Sequence, residues 1–173
     1  MRFSQAKPEQ FAQIRAFYWH LIDAMQAQID RIGWKKGIYP ADAFLRDSLA
    51  RGELFTLTEH ERLLACVILN SACNDGYDGV SWLSDCRPKE VLIPHALAVA
   101  PEAQCRGIGR HLVQEILLHA QKTGKKAVRL DILGTNQAAA RLYTGCGFRF
   151  VQAKPMFYED TGWTEYKLYE CSL

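Results

Sequence analysis

Residues 95–118 constrain this chain more than any other stretch. An apolar run, His95-Ala96-Leu97-Ala98-Val99-Ala100, ends at Pro101, and a short polar loop follows. Ile108, Leu112, Ile116 and Leu117 then recur at helical spacing and supply one buried stripe. Gly107-Ile108-Gly109 stands where that helix starts. A helix start leaves backbone N–H groups without internal partners. Glycine lets a ligand come close to them, because no Cβ intervenes. Those N–H groups and the positive end of the helix dipole suit an anion, above all a pyrophosphate.

Two common phosphate motifs are not met. Gly-x-Gly-x-x-Gly fails because position 112 is Leu, and no glycine-rich loop ends in Gly-Lys-Ser/Thr. What remains is Gln104-x-x-Gly107-x-Gly109, preceded by Leu97-Ala98-Val99 and followed by the words from Asn136 to Phe148. In order and spacing these words resemble the GCN5-related N-acetyltransferase (GNAT) family, whose acetyl-CoA loop reads Gln/Arg-x-x-Gly-x-Gly/Ala. The resemblance covers roughly residues 91–150.

Composition sets the frame. The length of 173 residues fits one domain, taken as 1–173, and can bury a sizeable core without staples. A net charge of +2 gives no reason to expect nucleic acid or an anionic membrane as an obligatory partner. No signal-peptide core opens the chain and no apolar run is long enough to span a bilayer, so a cytoplasmic location is expected. Six cysteines are scattered without a Cys-x-x-Cys pair, which predicts free thiols and no metal site.

Along the chain, residues 1–6 suit a short strand, and Pro8 suits a first helical turn. Phe11, Ile14, Phe17, Tyr18, Leu21, Ile22, Met25 and Ile29 keep a helical rhythm until the glycines and proline of 33–40 break it. Residues 42–49 read as a second helix, and 54–59 with 63–69 as a hairpin. Residues 70–90 are irregular, with Asp75-Gly76 and Asp78-Gly79 as turn signals. Residues 91–99 form a near-continuous apolar strand expected to be buried on both faces. Pro94 removes a ladder donor there, a tension that a bulge or a late strand start resolves. Residues 127–133 read as a strand, 136–143 as a helix, and the remainder as two final strands bending at Thr161-Gly162. Tyr158 and Tyr166 read as packing residues.

The resemblance implies a mixed, mostly antiparallel α/β sheet of GNAT type, with helices on both faces. Its fourth and fifth strands form a parallel pair that opens into a V. It implies acetyl transfer from acetyl-CoA to a primary amine, by direct attack in a ternary complex and without a metal. An alkyl amine is an ammonium ion near neutral pH, so a proton must leave before attack. The tetrahedral oxygen needs a fixed N–H, and the leaving thiolate needs a proton. By resemblance, Gln104, Cys105, Arg106, Gly107, Ile108, Gly109 and Arg110 hold the pyrophosphate. The backbone of Leu97 and Val99 meets pantetheine, with Val99 N–H on the thioester carbonyl. Asn136 positions the pantetheine arm or a water.

Tyr143 is the candidate acid toward sulfur, although a tyrosine of ordinary pKa near 10 is a weak acid for that task. His95 is the candidate base, because an imidazole titrates near working pH. It lies two residues before Leu97, which puts both side chains on one face of a regular strand. The plain alternative for His95 is a strand histidine bonded to a backbone carbonyl. Asp131 is a candidate to orient a site group or to make a structural hydrogen bond. One of Lys122, Lys125, Lys126 and Arg129 is a candidate for the CoA 3′-phosphate.

Trp34 and Tyr39, between the first two helices, and Trp82, in the irregular segment, are candidate acceptor contacts. The acceptor expected first is a small-molecule amine, then a protein N-terminus or lysine. A non-catalytic acyl-CoA-binding module is a reading of another class, and homodimers are common in the family.

Overall fold

The computed structural model describes residues 1–26 and 33–173. Strand β1 (Arg2–Gln5) leads into a single 3-10 turn at Pro8–Gln10, and helix α1 (Phe11–Met25) runs directly out of it. The apolar rhythm of α1 buries Ile14, Phe17, Tyr18, Leu21, Ile22 and Met25. Ile29, which continues that rhythm in the sequence, lies outside the described residues. Helix α2 (Asp42–Ala50) is followed by the hairpin of β2 (Leu54–Glu59) and β3 (Arg62–Asn70). Then come β4 (Val91–Val99), α3 (Ile108–Lys122), β5 (Ala127–Leu133) and α4 (Gln137–Thr144). The chain closes with β6 (Arg149–Tyr158) and β7 (Gly162–Ser172).

Among the described residues, seven strands join one sheet in the order β1-β2-β3-β4-β5-β7-β6. Every neighbouring pair is antiparallel except β4 and β5. Residues 64–69 of β3 are all buried, which requires cover on both faces of the sheet. Ile14 and Tyr18 of α1, and Leu112 and Ile116 of α3, are among the most deeply buried side chains. The fold is the mixed, mostly antiparallel arrangement that the resemblance implies. Among the described residues no helix is long and apolar enough to cross a membrane.

The parallel pair is brief. β4 and β5 meet only at Val91↔Ala127 and Leu92↔Val128. Beyond that, β4 stays paired with β3 as far as Ala65↔Val99, and β5 stays paired with β7 as far as Leu133↔Tyr166. The two strands therefore part in the middle of the sheet, each with one edge unpaired.

Two features of β4 lie where the strands part. Pro94 has no N–H to give to either neighbour. Two residues on, the register slips: His95 faces Ile68 and Ala98 faces Cys66, so β4 carries one residue more than β3 over the same span. That is a β-bulge, and left-handed backbone marks it, since Ala96 sits at φ +49°. The tension at Pro94 is thus accompanied by a bulge in the same strand. The buried Tyr18 hydroxyl donates to Ala96 O at 2.7 Å and ties the bulge to α1.

Removing that hydroxyl leaves a buried carbonyl without its donor. Tyr18→Phe should cost about 1–3 kcal/mol of stability, read from urea unfolding. An unchanged midpoint would show that the bulge does not depend on α1.

Candidate active site

The parted strands, α4 and the β6–β7 hairpin surround a cavity of about 180 Å³. Its lining on the β4 and α4 side includes His95, Ala96, Leu97, Asn136, Leu142 and Tyr143. On the other side stand Trp34, Tyr39, Tyr158, Asp160 and Tyr166, with Asp131 on β5. The structure therefore gathers His95, Leu97, Asn136, Tyr143, Trp34 and Tyr39, which lie more than a hundred residues apart at their extremes.

Beside the cavity, the loop between β4 and α3 has the geometry of an anion nest. Cys105 and Gly107 both have left-handed backbone, at φ +59° and +79°, a conformation that turns successive N–H groups to one side. The first helical bond of α3 is His111 N–H to Gly107 O, at 3.0 Å. Among the described residues, the N–H groups of 105–110 take no backbone acceptor, and no side chain caps the helix. Gly107 is required by its φ rather than by crowding, since a Cβ there would meet nothing within 4 Å. Gly109 sits close to α4: a Cβ there would lie 3.3 Å from Leu142 Cδ2, which would have to give by a few tenths of an ångström.

The loop's side chains divide their work. Gln104 Nε2 donates to Val99 O at 3.2 Å and fastens the loop to the end of β4. Ala100 N–H donates to Leu64 O on β3, so strand alternation turns the N–H and C=O of Val99 away from β3. Cys105 and Arg106 are exposed, and Ile108 is buried. Arg110 is not a free cation beside the nest. Its Nη1 donates to Gly145 O at 2.8 Å, at the carbonyl-rich end of α4.

Asn136 is the N-cap of α4, its Oδ1 accepting from Ala139 N–H at 3.0 Å. Tyr143, two turns on, packs edge-to-face on Phe148 at 5.4 Å. Burial, and then the Asp131 charge, hold its hydroxyl above the ordinary tyrosine value, so it stays protonated and can only donate or accept hydrogen bonds.

His95 does not sit as a regular strand predicts. The bulge inserts a residue, so His95 shares its face with Ala98 and not with Leu97. Its Nε2 lies 2.9 Å from Asn70 Oδ1, while Asn70 Nδ2 donates to Glu53 at 3.0 Å. That orientation of Asn70 assigns the Nε2 proton to His95. Burial lowers the imidazole pKa, against a hydrogen bond with the Ala72 backbone and the Glu53 charge, both of which raise it. The ring is therefore neutral near pH 7.

Two expectations meet a different geometry. Trp82 is absent from the cavity lining; it packs on Tyr77 at 5.1 Å and under the Arg129 guanidinium at 4.5 Å. The lysines and arginine proposed for a 3′-phosphate are largely engaged. Lys125 donates to Ser71 Oγ and Lys89 O, Lys126 pairs with Glu90 at 2.8 Å, and Arg129 is buried on Glu170 at 2.7 Å.

The residues that sequence reasoning undervalued are Asp131 and the tyrosines around it. Tyr158 donates to Asp131 Oδ2 at 2.6 Å, and Tyr77 lies 3.4 Å from the same oxygen. Tyr166 pairs with Thr161 Oγ1 at 2.8 Å. Burial raises the Asp131 carboxyl to about 6, against the two tyrosine hydrogen bonds, which lower it. The available signal was one carboxylate inside the apolar strand 127–133.

The acetyltransferase (GNAT) domain profile matches residues 50–150, more than half of the chain, and the chain belongs to that family. It is 36% identical over 93 residues to N-alpha-acetyltransferase RimI of Mycobacterium tuberculosis, covering 54% of this chain and 56% of RimI. It thus spans about half, or less, of the length of the curated relatives it matches. In fold it is similar to a GNAT-family acetyltransferase of Streptococcus agalactiae, with TM-score 0.79 and 18% identity over 99% of this chain and 95% of that one. It is also similar to yncA of Salmonella typhimurium, solved with its cofactor acetyl-CoA, with TM-score 0.71 and 19% identity over 100% and 94% of the two chains.

The raised Asp131 carboxyl has a consequence for stability. An acid whose pKa is higher in the folded state holds its proton more tightly there, so folding weakens as pH rises through the window from about 4 to about 6. Asp131→Asn removes that dependence. Its stability relative to the parent should improve between pH 4 and pH 7 in denaturant titrations. A difference that stays flat over that range would contradict the buried, raised carboxyl.

Proposed function

We propose that this chain transfers acetyl from acetyl-CoA to a primary amine, by direct attack of the amine within a ternary complex. The observation that carries the reading is the opening between β4 and β5 beside the nest of N–H groups at 105–110. One feature accommodates an extended thioester arm and the other a diphosphate.

The roles follow from what thioester aminolysis needs. Amides of 105–110 take the pyrophosphate, with the Arg106 side chain at the rim and Arg110 contributing charge from its place on Gly145. Val99 N–H, turned away from β3, polarises the thioester carbonyl as the tetrahedral oxygen forms. Leu97 offers backbone to pantetheine. Asn136, its Oδ1 committed to the helix, uses its amide N–H groups on the same arm.

Tyr143 donates toward the departing sulfur. A cysteine-like thiolate has a pKa of about 8.5, well below that of the buried tyrosine, so the role is a hydrogen bond rather than complete proton transfer. His95, neutral and fixed by Asn70, takes the amine's proton through its other ring nitrogen or a water. Holding both substrates in one cleft supplies much of the rest, because proximity alone is worth about 7–11 kcal/mol in favourable cases. Trp34 and Tyr39 line the acceptor end.

The acceptor read first is a small-molecule amine. RimI is named an N-alpha-acetyltransferase, and that likeness supports a protein N-terminus as the second reading. The test is release of free thiol from acetyl-CoA across a panel of amines and short peptides. Binding of acetyl-CoA with no release for any acceptor would favour a non-catalytic acyl-CoA-binding module.

Tyr143→Phe should lower kcat about tenfold or more while the acetyl-CoA affinity stays within about twofold. Unchanged turnover removes Tyr143 from the reaction. His95→Ala should shift the acidic limb of the kcat/KM profile against pH, and an unaltered profile removes His95 as the base.

A further inference from the structure

The wall of the cavity away from the glycine loop has a charge that acetyl-CoA does not need. Asp131 and Asp160 both line it, and among the described residues no lysine or arginine does. Asp160 is only 6% exposed. The donors to Asp131 are tyrosine hydroxyls, neutral groups, at 2.6 and 3.4 Å. Arg129, two residues away on β5, is bonded to Glu170 and to Ser84 O instead. Lys35, the cation nearest in effect to Asp160, is an exposed side chain outside the lining.

The contrast with Glu170 is informative. That carboxylate is fully buried and has its arginine at 2.7 Å. Asp131 is sequestered in a cavity without one. A sequestered carboxylate is costly unless a cation comes to it. The wall also carries the rings of Trp34, Tyr39, Tyr158 and Tyr166, and aromatic faces attract cations as well.

We infer that this wall is the ammonium site of the acceptor, and that it selects primary ammonium ions with no carboxylate on the same carbon. Alkylamines, arylalkylamines and α-amines whose carboxyl is blocked as an amide fit it. Free amino acids do not, because their carboxylate arrives one carbon from the ammonium, against both Asp131 and Asp160. Like charges brought together in a low-dielectric cleft repel strongly, and among the described residues no lysine or arginine of the lining relieves them. The inference rests on the acetyl-transfer reading and narrows its substrate. The bound ammonium gives up its proton to His95, directly or through a water, before its nitrogen attacks, so recognition and reaction are consecutive.

The test is calorimetry on protein first titrated with CoA, which cannot react. Phenethylamine, phenylalanine amide and phenylalanine are then titrated into the CoA-saturated sample. The first two should bind at least tenfold more tightly than phenylalanine. Asp131→Asn should bring the three affinities together while leaving the CoA affinity unchanged. Asp160→Asn supplies the same comparison if Asp131→Asn does not fold.

Phenylalanine binding as tightly as its amide overturns the inference. So does failure of both cations to bind, or a preference that survives in both variants. The CoA titration separates the two claims: no heat with CoA removes the acetyl-transfer reading, whereas CoA binding without discrimination among the amines removes only the ammonium site.

Discussion

The rest of the structure depends on two strands that stop touching. β4 and β5 share two rungs, at Val91↔Ala127 and Leu92↔Val128, and then diverge inside a sheet whose other pairs continue. Unpaired strand edges are normally found at the rim of a sheet, where water satisfies them. Here two such edges face one another in the interior. Backbone groups so placed need partners, and a ligand arm with its own amides is a suitable partner. The opening is built in by Pro94, the extra residue after it, and the Tyr18 bond that fixes Ala96.

Around that opening the chain has assembled two chemically different ends. One is made of main chain: the left-handed turns at Cys105 and Gly107, and the open N-terminus of α3. It offers N–H groups and suits an anion. The other is made of side chains from distant segments: Asp131, Asp160 and the tyrosines of the last hairpin. It offers negative charge and aromatic faces, and suits a cation. A donor carrying phosphates and an acceptor carrying an ammonium would each be directed to its own end, with the parted strands between them.

The first end was legible in the sequence because its determinants are local. Gln104, Gly107 and Gly109 specify a loop and a helix start within six residues, and Asn136 caps the short helix that carries Tyr143. The strand assignments in 54–69 and 127–133 were also legible, from apolar runs bounded by turns. The second end was not, because it is a product of strand order. β7 inserts between β5 and β6, and only then does the Tyr158 hydroxyl reach Asp131. Nothing near Tyr158 in sequence distinguishes it from a packing residue. Period-two alternation puts His95 and Leu97 on one face only in a regular strand, and the bulge breaks that alternation although both residues line the cavity. Trp82 was favoured for being aromatic in an irregular loop, yet it serves as the plate on which Arg129 rests.

The central claim is that the parted strands and the glycine loop together form one coenzyme site read mainly by main-chain groups. Backbone amide resonances followed during titration with CoA test it most directly. The account predicts that the largest shifts, and the strongest slowing of hydrogen exchange, fall on 105–110 and on Val99. Saturation with CoA that leaves those amides unmoved, with the changes elsewhere on the chain, would contradict it.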